Sequence, residues 1–269
     1  MTGNDSAVDA LRRRTRDHYD RYQFGFDQEE ILQEKLENRV MGEAIRELAV
    51  AGSRVADVGC GACRVARLVR RHTPADTINV DLSLQSLRYA QRHDAGPLVV
   101  GDNMRLPLRT ACADLVISNG VIHHTPDSRA SFRELARILK PGGTLVVSVY
   151  DREGWYYWVW HYPGALIRAL RRLAGDRGLR LCVFPFFRLA VFVLLSIHTR
   201  RWFSLPAETA WNLFHDQFTT PQCAFHSFDE VEGWGAEAGL RCVERRREAA
   251  RQLATLRLTR PADSGVAIG

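Results

Sequence analysis

One segment constrains this chain most: an apolar run that ends in an acid and two closely spaced glycines, Val55-Ala-Asp-Val-Gly-Cys-Gly-Ala-Cys63. The apolar run is typical of a buried β-strand, and the glycines predict a tight turn into a helix over residues 62–72. Glycines let the backbone approach a ligand closely, and the first turn of the helix offers N–H groups without intrahelical partners. The segment therefore predicts a strand–turn–helix unit with a ligand site at its turn.

Strand-like and helix-like patterns alternate along the central part of the chain. Helical patterns separate short apolar runs, which predict strands at 54–58, 77–80, 98–100, 113–118 and 144–149. The helices are predicted at 62–72, at 83–93 with Ser83 as cap, and at 127–139 with Asp127 as cap. Lys140-Pro-Gly-Gly143 predicts a turn before the last strand. Such alternation is typical of an α/β fold with a parallel sheet and helices on both faces.

Polar residues stand at the ends of the first four predicted strands: Asp57, Asp81, Asp102 and Asn119. Open α/β sheets bind ligands outside the carboxyl ends of their strands, so we expect these side chains to border one crevice. Asp81 is placed to accept hydrogen bonds from ribose hydroxyls, and Asp102 from an exocyclic amine. Arg64 stands where a G-x-G-x-x-G fingerprint needs its third glycine, and no G-K-[ST] phosphate loop occurs. The pattern favours a nucleoside that carries no pyrophosphate.

Together these motifs resemble those of class I S-adenosylmethionine-dependent methyltransferases. The resemblance covers about residues 50–150 and rests on Asp57-Val-Gly-Cys-Gly61, Asp81, Gly101-Asp-Asn-Met104, Leu115-Val-Ile-Ser-Asn-Gly-Val-Ile-His-His124 and Leu135-Ala-Arg-Ile-Leu-Lys-Pro-Gly-Gly-Thr-Leu145. It implies a Rossmann-like fold, with a seven-stranded, mostly parallel sheet and helices on both faces. It also implies S-adenosylmethionine as cofactor and S-adenosylhomocysteine as product, bound by Asp57, Gly59, Cys60, Gly61, Asp81, Leu82, Asp102, Asn103, Met104 and Asn119. The chain departs from the family at Cys63, where a third glycine is usual.

Three residues are candidates for the reaction itself: His123, His124 and Tyr22. The resemblance implies in-line displacement of a methyl group, helped by alignment, by desolvation of the acceptor and, for a poor nucleophile, by a base. The two histidines follow the strand that delivers Asn119, so at least one could border the acceptor pocket; packing or capping of the loop is the alternative. Tyr22, like Tyr19, could close over the cofactor or could simply pack an amphipathic helix.

The patterning divides the chain into five parts. They are a helical cap (1–50), the cofactor-binding core (51–150), a helical lid insertion (151–222), the end of the core sheet with a last helix that Ser227 caps and two strands (223–260), and a tail (261–269). The lid carries an aromatic cluster and an apolar run at 181–197. That run is shorter than the roughly 20 residues of a spanning helix. A buried lid helix, a subunit interface and a monotopic membrane contact remain as alternatives.

Composition and charge limit the kinds of partner that we expect for this chain. The chain of 269 residues has a net charge of +6, but its arginine runs are dispersed, so no nucleic-acid partner is expected. No apolar signal-peptide core begins the sequence, and we expect a cytoplasmic location. The six cysteines lack the pattern of a disulfide framework. Cys60 and Cys63 have no second ligand pair, so we expect the chain to bind no metal. We therefore also expect a chelator to leave methyl transfer unaffected.

The apolar and aromatic lid favours a small acceptor, hydrophobic or aromatic, of the kind found in the biosynthesis of specialised metabolites. Three alternatives stay open: methylation of a lipid or isoprenoid at the membrane surface, methylation of RNA or protein, and a non-catalytic cofactor-binding partner. Peripheral membrane contact and a homodimer also stay open. The accepting atom, whether oxygen, nitrogen or carbon, is not predicted.

Overall fold

The computed structural model describes residues 3–22, 37, 39–92, 96–199, 202 and 204–262. The strands are β1 (Arg54–Val58), β2 (Asp76–Asp81), β3 (Leu98–Val100), β4 (Ala113–Asn119), β5 (Leu139–Tyr150), β6 (Arg241–Glu248) and β7 (Leu253–Thr259). The helices are α1 (Gly3–Arg21), α2 (Val40–Leu48), α3 (Arg64–His72), α4 (Leu84–Gln91), α5 (Ser128–Ile138), α6 (Trp155–His161), α7 (Pro163–Cys182), α8 (Phe184–Thr199), α9 (Ala207–Phe218) and α10 (Phe228–Glu237). A 3₁₀ turn spans Ile122–His124.

All seven strands belong to one sheet in the order β3-β2-β1-β4-β5-β7-β6. β1 to β5 pair in parallel, and β7 runs antiparallel to both of its neighbours. Helices α6 to α9 lie between β5 and the last helix along the chain. This arrangement confirms the Rossmann-like sheet and the helical insertion predicted from the sequence.

Both faces of the sheet are covered, which explains the consecutive apolar residues inside its central strands, such as Leu115, Val116 and Ile117 in β4. Val55 of β1 joins a buried cluster under α2 and α3, whereas Ala56 and Val58 join the cluster that contains Phe132 of α5 and Trp234 of α10. Successive strand residues point to opposite faces, so a strand buried on both sides needs apolar residues at every position. The parallel strands therefore end at one edge, where the polar residues follow.

Side-chain caps begin three of the helices at the predicted places. Ser83 accepts the Ser86 N–H, Asp127 the Ala130 N–H, and Ser227 the Glu230 N–H. Each cap satisfies one of the N–H groups that a helix start leaves without an intrahelical partner. The caps fix where α4, α5 and α10 begin, and so the direction in which each helix leaves its strand.

Two sequence predictions need correction, and a third lies outside the described residues. The helix predicted from residue 62 begins at Arg64, because Cys63 adopts the left-handed conformation with φ 55°. The turn predicted at 140–143 belongs to β5, where the pairing with β4 shifts register between Ala113 and Leu115. The predicted helical cap includes apolar residues at 31–36, which lie outside the described residues, while Val40, Met41, Ala44 and Ile45 of the same cap lie buried in α2.

The apolar run at 181–197 forms the end of α7 and most of α8, and only part of it is buried. Phe187 and Leu195 pack against a cluster that includes Phe214 of α9, whereas Leu189 and Leu194 are exposed. A fully buried lid helix is therefore excluded. No single described helix is long and apolar enough to cross a membrane, although a bent pair of segments, Trp155–Cys182 and Phe184–Ile197, together meets that requirement by length and composition.

Replacing Leu135 by alanine tests the packing between α5 and the sheet. Leu135 is fully buried, so the substitution should lower the free energy of unfolding by about 2–5 kcal/mol. Leu173→Ala removes the same atoms from a side chain that is 85% exposed and should change it by less than about 0.5 kcal/mol. Urea unfolding of both variants gives the comparison, and equal losses would contradict the described core.

Candidate active site

The turn between β1 and α3 can be made only with glycine at its first position. Gly59 has φ +78°, and a Cβ atom there would overlap the side chain of Val121. The Gly59 N–H donates to the carbonyl of Val80, 2.7 Å away, at the end of β2. The turn thus lies between the end of β2 and the loop that follows β4. Beside it, a Cβ on Gly61 would project into open space, so this position leaves room for a ligand.

Asp81 ties the ends of β1 and β2 together. Its Oδ2 accepts the Gly61 N–H at 2.8 Å, and its Oδ1 accepts the Ser83 N–H at 2.8 Å. Burial raises the pKa of the Asp81 carboxyl, and these two hydrogen bonds oppose that rise because they favour the carboxylate. Each oxygen keeps a second lone pair, so the carboxylate can still accept hydrogen bonds from ribose hydroxyls, as predicted.

Asp57 and Asn119 each carry a buried oxygen without a hydrogen-bond partner among the described residues. The atoms are Asp57 Oδ2 and Asn119 Oδ1, and both residues line the same cavity. Burial, reinforced by the nearby charge of Asp81, raises the pKa of Asp57 to about 8. Buried acceptors without partners are costly, so this end of the cavity is suited to a ligand that brings a cationic donor, such as an ammonium group.

Helix α1 forms another part of the cavity wall, through Thr15 and Tyr19. Arg12 Nε lies 2.7 Å from Asp102 Oδ2, while Asp102 Oδ1 accepts the Met104 N–H. Further along α1, Asp20 Oδ1 accepts the Ser83 hydroxyl at 2.7 Å. These contacts hold α1 against the loops after β2 and β3, and they give Asp102 an arginine partner that the sequence did not suggest.

The cavity encloses about 240 Å³ at the carboxyl ends of the parallel strands. It gathers nine of the ten residues predicted to bind the cofactor, which are Asp57, Gly59, Cys60, Gly61, Asp81, Leu82, Asp102, Asn103 and Asn119. Met104, the tenth, meets Asp102 through its backbone and lies outside the lining. The topology of the sheet explains this convergence, because parallel strands deliver their ends to a common edge.

Of the three candidate catalytic residues, the fold brings His124 to the cavity wall and leaves His123 and Tyr22 outside it. His124 lines the cavity, and its Nδ1 lies 2.8 Å from the Gln222 carbonyl, which can only accept. Nδ1 therefore carries the proton and Nε2 the lone pair. Burial lowers the pKa of His124 to about 4, so the ring is neutral near pH 7. His123 lies behind it, where its Nδ1 accepts the Tyr150 N–H and burial lowers its pKa well below the usual value.

Tyr22 lies away from the cavity. Its hydroxyl donates to Asp176 of α7 at 2.8 Å, and its ring stacks on His215 of α9 with centroids 3.8 Å apart. Tyr19, one turn earlier in α1, lines the cavity instead. Tyr22 therefore joins α1 to the inserted helices, whereas Tyr19 faces the cavity.

Sequence reasoning missed Asp216, which reaches the cavity from the last turn of α9. Its side chain is 8% exposed, and it hydrogen-bonds to Tyr19 and to Gln217. Burial raises its pKa to about 7, although those hydrogen bonds and the charge of Arg64 oppose the rise. Nothing in the local sequence distinguishes this acid from a solvated one, because only the packing of α9 buries it.

The cysteine pair of the turn is free, and both thiols are buried. A hydrogen bond with Cys63, together with burial, raises the pKa of Cys60 well above its usual value, so this thiol stays protonated. Among the described residues no group of three or more His, Cys, Asp or Glu side chains is placed to hold a metal ion.

Fold and site together define a nucleoside-binding α/β protein of the Rossmann-like type. Residues 56–147 match the family model described as a methyltransferase domain. This part of the chain is a methyltransferase domain of the class I S-adenosylmethionine-dependent type. Its cofactor is S-adenosylmethionine, and the site fits that molecule: Asp81 follows β2 for the ribose, and the unpartnered oxygens of Asp57 and Asn119 suit the ammonium group.

Known relatives match part of the chain. The probable tRNA methyltransferase 9B of Mus musculus is 36% identical over 105 residues, which are 38% of this chain and 23% of that protein. The malonyl-[acyl-carrier protein] O-methyltransferase of a Methylovorus species is 31% identical over 159 residues, 55% of this chain and 53% of that protein. The chain thus spans between about a quarter and a half of the length of these relatives.

A solved structure shows the same fold over nearly the whole chain. The magnesium protoporphyrin IX methyltransferase of Synechocystis, with S-adenosylhomocysteine bound, superposes with a TM-score of 0.52 at 16% identity. The superposition covers 96% of this chain and 99% of that one.

Replacing Asp81 by alanine tests the ribose contact. We expect S-adenosylhomocysteine to bind at least about tenfold more weakly, because the variant loses a carboxylate acceptor and the clamp on Gly61. Asp76→Ala, at the exposed start of the same strand, should leave the affinity within about twofold. Isothermal titration calorimetry measures both, and unchanged affinity in Asp81→Ala would contradict the assignment.

Asp57 should make cofactor binding depend on pH. Its pKa of about 8 means that the free site is mostly protonated below pH 8, whereas a bound ammonium group favours the carboxylate. Binding therefore releases a proton, and the affinity for S-adenosylhomocysteine should rise by up to about tenfold per pH unit from pH 6 to pH 8 and then level off.

Asp57→Asn, which keeps the shape of the side chain, should remove most of this slope. Calorimetry in two buffers of different ionisation enthalpy counts the protons released by each protein. An equal slope in the variant would show that another group carries the pH dependence.

Proposed function

We propose that this chain transfers a methyl group from S-adenosylmethionine to a small apolar acceptor whose nucleophilic atom carries a proton. The observation that carries the proposal is the buried carboxyl of Asp216 in the cavity wall, with a pKa raised to about 7. A base is most effective when its pKa lies near the working pH, because it is then both available and basic enough.

Asp216 is held for this task by its neighbours. Tyr19 hydrogen-bonds to it, and Gln217 Nε2 donates to its Oδ2 at 2.9 Å, which leaves lone pairs for an acceptor proton. Bound S-adenosylmethionine supplies an electrophilic methyl group on a sulfonium. As the acceptor atom bonds to the methyl carbon, the carbon–sulfur bond breaks and the acceptor proton passes to Asp216.

Aromatic groups form much of the wall around Asp216. Tyr19 comes from α1, Tyr150 from the end of β5 and His124 from the 3₁₀ turn, and all three line the cavity. The neutral ring of His124 and the phenol of Tyr150, whose pKa burial raises well above its usual value, present no net charge at neutral pH. An apolar or aromatic acceptor with one ionisable O–H or N–H suits this lining.

Family membership leaves the acceptor open. The similar proteins are named for tRNA, for malonyl-[acyl-carrier protein] and for magnesium protoporphyrin IX, which are chemically unrelated. The acceptor proposed for this chain therefore rests on its own cavity wall, to which α1, β5, the 3₁₀ turn and α9 contribute.

Incubation with methyl-labelled cofactor and separated acceptor fractions tests the proposal. Label should appear in the fraction of small molecules that partitions into organic solvent. Label confined to RNA or to protein would overturn the small-acceptor proposal, and cofactor binding without transfer to any fraction would favour a non-catalytic partner.

Asp216→Asn tests the base on the most active fraction. We expect turnover to fall by about 10²- to 10⁴-fold while the affinity for S-adenosylhomocysteine changes less than about twofold. In the unchanged protein, turnover should rise as the pH passes through about 7, because the base acts when deprotonated. Asp229→Asn, an exposed acid on α10, is the matched control. A retained pH step in Asp216→Asn would assign the proton to another group.

A further inference from the structure

Helix α8 is apolar on two opposite faces, and only one of them is covered. Its inner face packs into a buried cluster with Trp211 and Phe214 of α9 through Phe184, Phe187, Val191 and Leu195. Its outer face is exposed and carries Phe186, Leu189, Val193, Leu194 and Ile197. A helix that is hydrophobic all round is expected to be buried on every side, so the outer face of α8 indicates a missing apolar neighbour.

Helix α7 carries further exposed apolar side chains. Leu166, Leu170 and Leu173 follow one another at spacings of four and three residues, which places them on one side of the helix, and all three are exposed. Leu181 adds a further exposed leucine just before α8. We call these side chains the apolar face; it consists of Leu166, Leu170, Leu173, Leu181, Phe186, Leu189, Val193, Leu194 and Ile197.

The segment that contains α7 and α8 also carries the net positive charge of the chain. Residues 163–202 contain eight arginines, no lysine and one acid, Asp176, for a net charge of +7. The other residues hold 29 basic and 30 acidic side chains, a net charge of −1. Within the described residues Arg172 and Arg177 are exposed on α7, and Arg188 is exposed on α8. An apolar surface set among arginines fits an acidic, partly apolar partner.

We propose that α7 and α8 dock on the surface of a bilayer that contains anionic lipids. Arginines would lie at the lipid headgroups while the apolar face enters the boundary between headgroups and acyl chains, as interfacial helices do. Trp202, which is 89% exposed and stacks on Phe192, is the type of side chain that favours this boundary.

Charge argues against a second copy of this chain as the occupant. A two-fold interface brings identical patches together, so each copy would set its +7 segment against that of its partner. A nucleic acid would satisfy the arginines but would leave the leucines and phenylalanines of the apolar face without a function. The bilayer surface accounts for both features at once.

The geometry favours a helix that lies on the membrane over one that crosses it. α8 has 16 residues, so it is about 24 Å long, against a hydrocarbon core of about 30 Å. Arg188 lies within it, and α7 is broken at Gly175, which has non-helical backbone angles. The segments on either side of Val183 are bent by 47°.

Docking would place the membrane one helix away from the candidate base. Phe184 and Phe187 of α8 pack against Phe214 of α9, and Asp216 stands two residues further along that helix. The contact with lipid is independent of the proposed acceptor, because it depends only on the outer surface of α7 and α8. It can therefore be measured without turnover.

Co-sedimentation of the full chain with vesicles tests the proposal. We expect binding to phosphatidylcholine vesicles that contain about 30% phosphatidylglycerol to exceed binding to pure phosphatidylcholine by at least about tenfold at about 0.1 M salt. Raising the salt to about 0.5 M should remove most of this difference, because it screens the arginines. Equal binding to both vesicles, or to neither, would overturn the proposal.

Two sets of variants separate the apolar and the charged contributions. Leu189→Gln with Leu194→Gln should weaken binding to anionic vesicles by at least about tenfold, since both side chains are more than half exposed and would lose their contact with acyl chains. Arg172→Gln with Arg177→Gln should weaken it by a similar factor and flatten the salt dependence. Val50→Gln with Val243→Gln, equally exposed outside the apolar face, should bind as the unchanged protein does.

Unchanged calorimetric binding of S-adenosylhomocysteine shows that each variant is folded and that its cofactor site is intact, whatever the acceptor. Alkaline carbonate should release the bound protein; resistance to it would show that the bent pair crosses the bilayer. Sedimentation equilibrium without lipid should give a monomer, and a dimer that Leu189→Gln with Leu194→Gln dissociates would reassign the apolar face to an interface between copies.

Discussion

The hydrogen bond from the Gly61 N–H to the Asp81 carboxylate joins the ends of β1 and β2, and the arrangement of the site depends on it. It holds the glycine turn against β2, while Gly59 is held from the other side by Val121. Both contacts are possible only because parallel strands end at the same edge of the sheet. The cavity therefore follows from the strand order, because open α/β sheets bind ligands at the carboxyl ends of their strands.

Parts of the chain outside the central sheet complete that site. α1 reaches Asp102 through Arg12 and places Tyr19 at the cavity, and α9 brings Asp216 to Tyr19. These contacts join the N-terminal helix to the inserted helices across the cofactor site. The core thus supplies a binding edge common to the class and, through Tyr150 and His124, part of the wall proposed to face the acceptor; α1 and α9 complete that wall.

Burial produces opposite effects in the acids and the histidines of this wall. It raises the pKa of Asp57 and Asp216, and it lowers the pKa of His124, because in each case the charged form loses solvation. Near pH 7 Asp57 and His124 are therefore mainly neutral, whereas Asp216 is about half ionised. Asp57 and Asp216 lie in the same cavity, and their different neighbours suit the first to an ammonium group and the second to a proton.

Much of the fold, and the edge of the sheet that borders the cofactor site, could be predicted from the sequence. Periodicity, caps and glycines act over short distances along the chain. The strands, the caps Ser83, Asp127 and Ser227, and the strand-end residues from Asp57 to Asn119 belong to this group. Asp216, the Arg12 contact with Asp102 and the placement of Tyr22 against Asp176 depend on segments far apart in the chain. The uncovered face of α8 has the same origin: its apolar pattern is local, but which side finds a neighbour is settled by packing against α9. Local patterns can specify elements and turns, whereas the partner of a side chain across the fold exists only once the helices have packed.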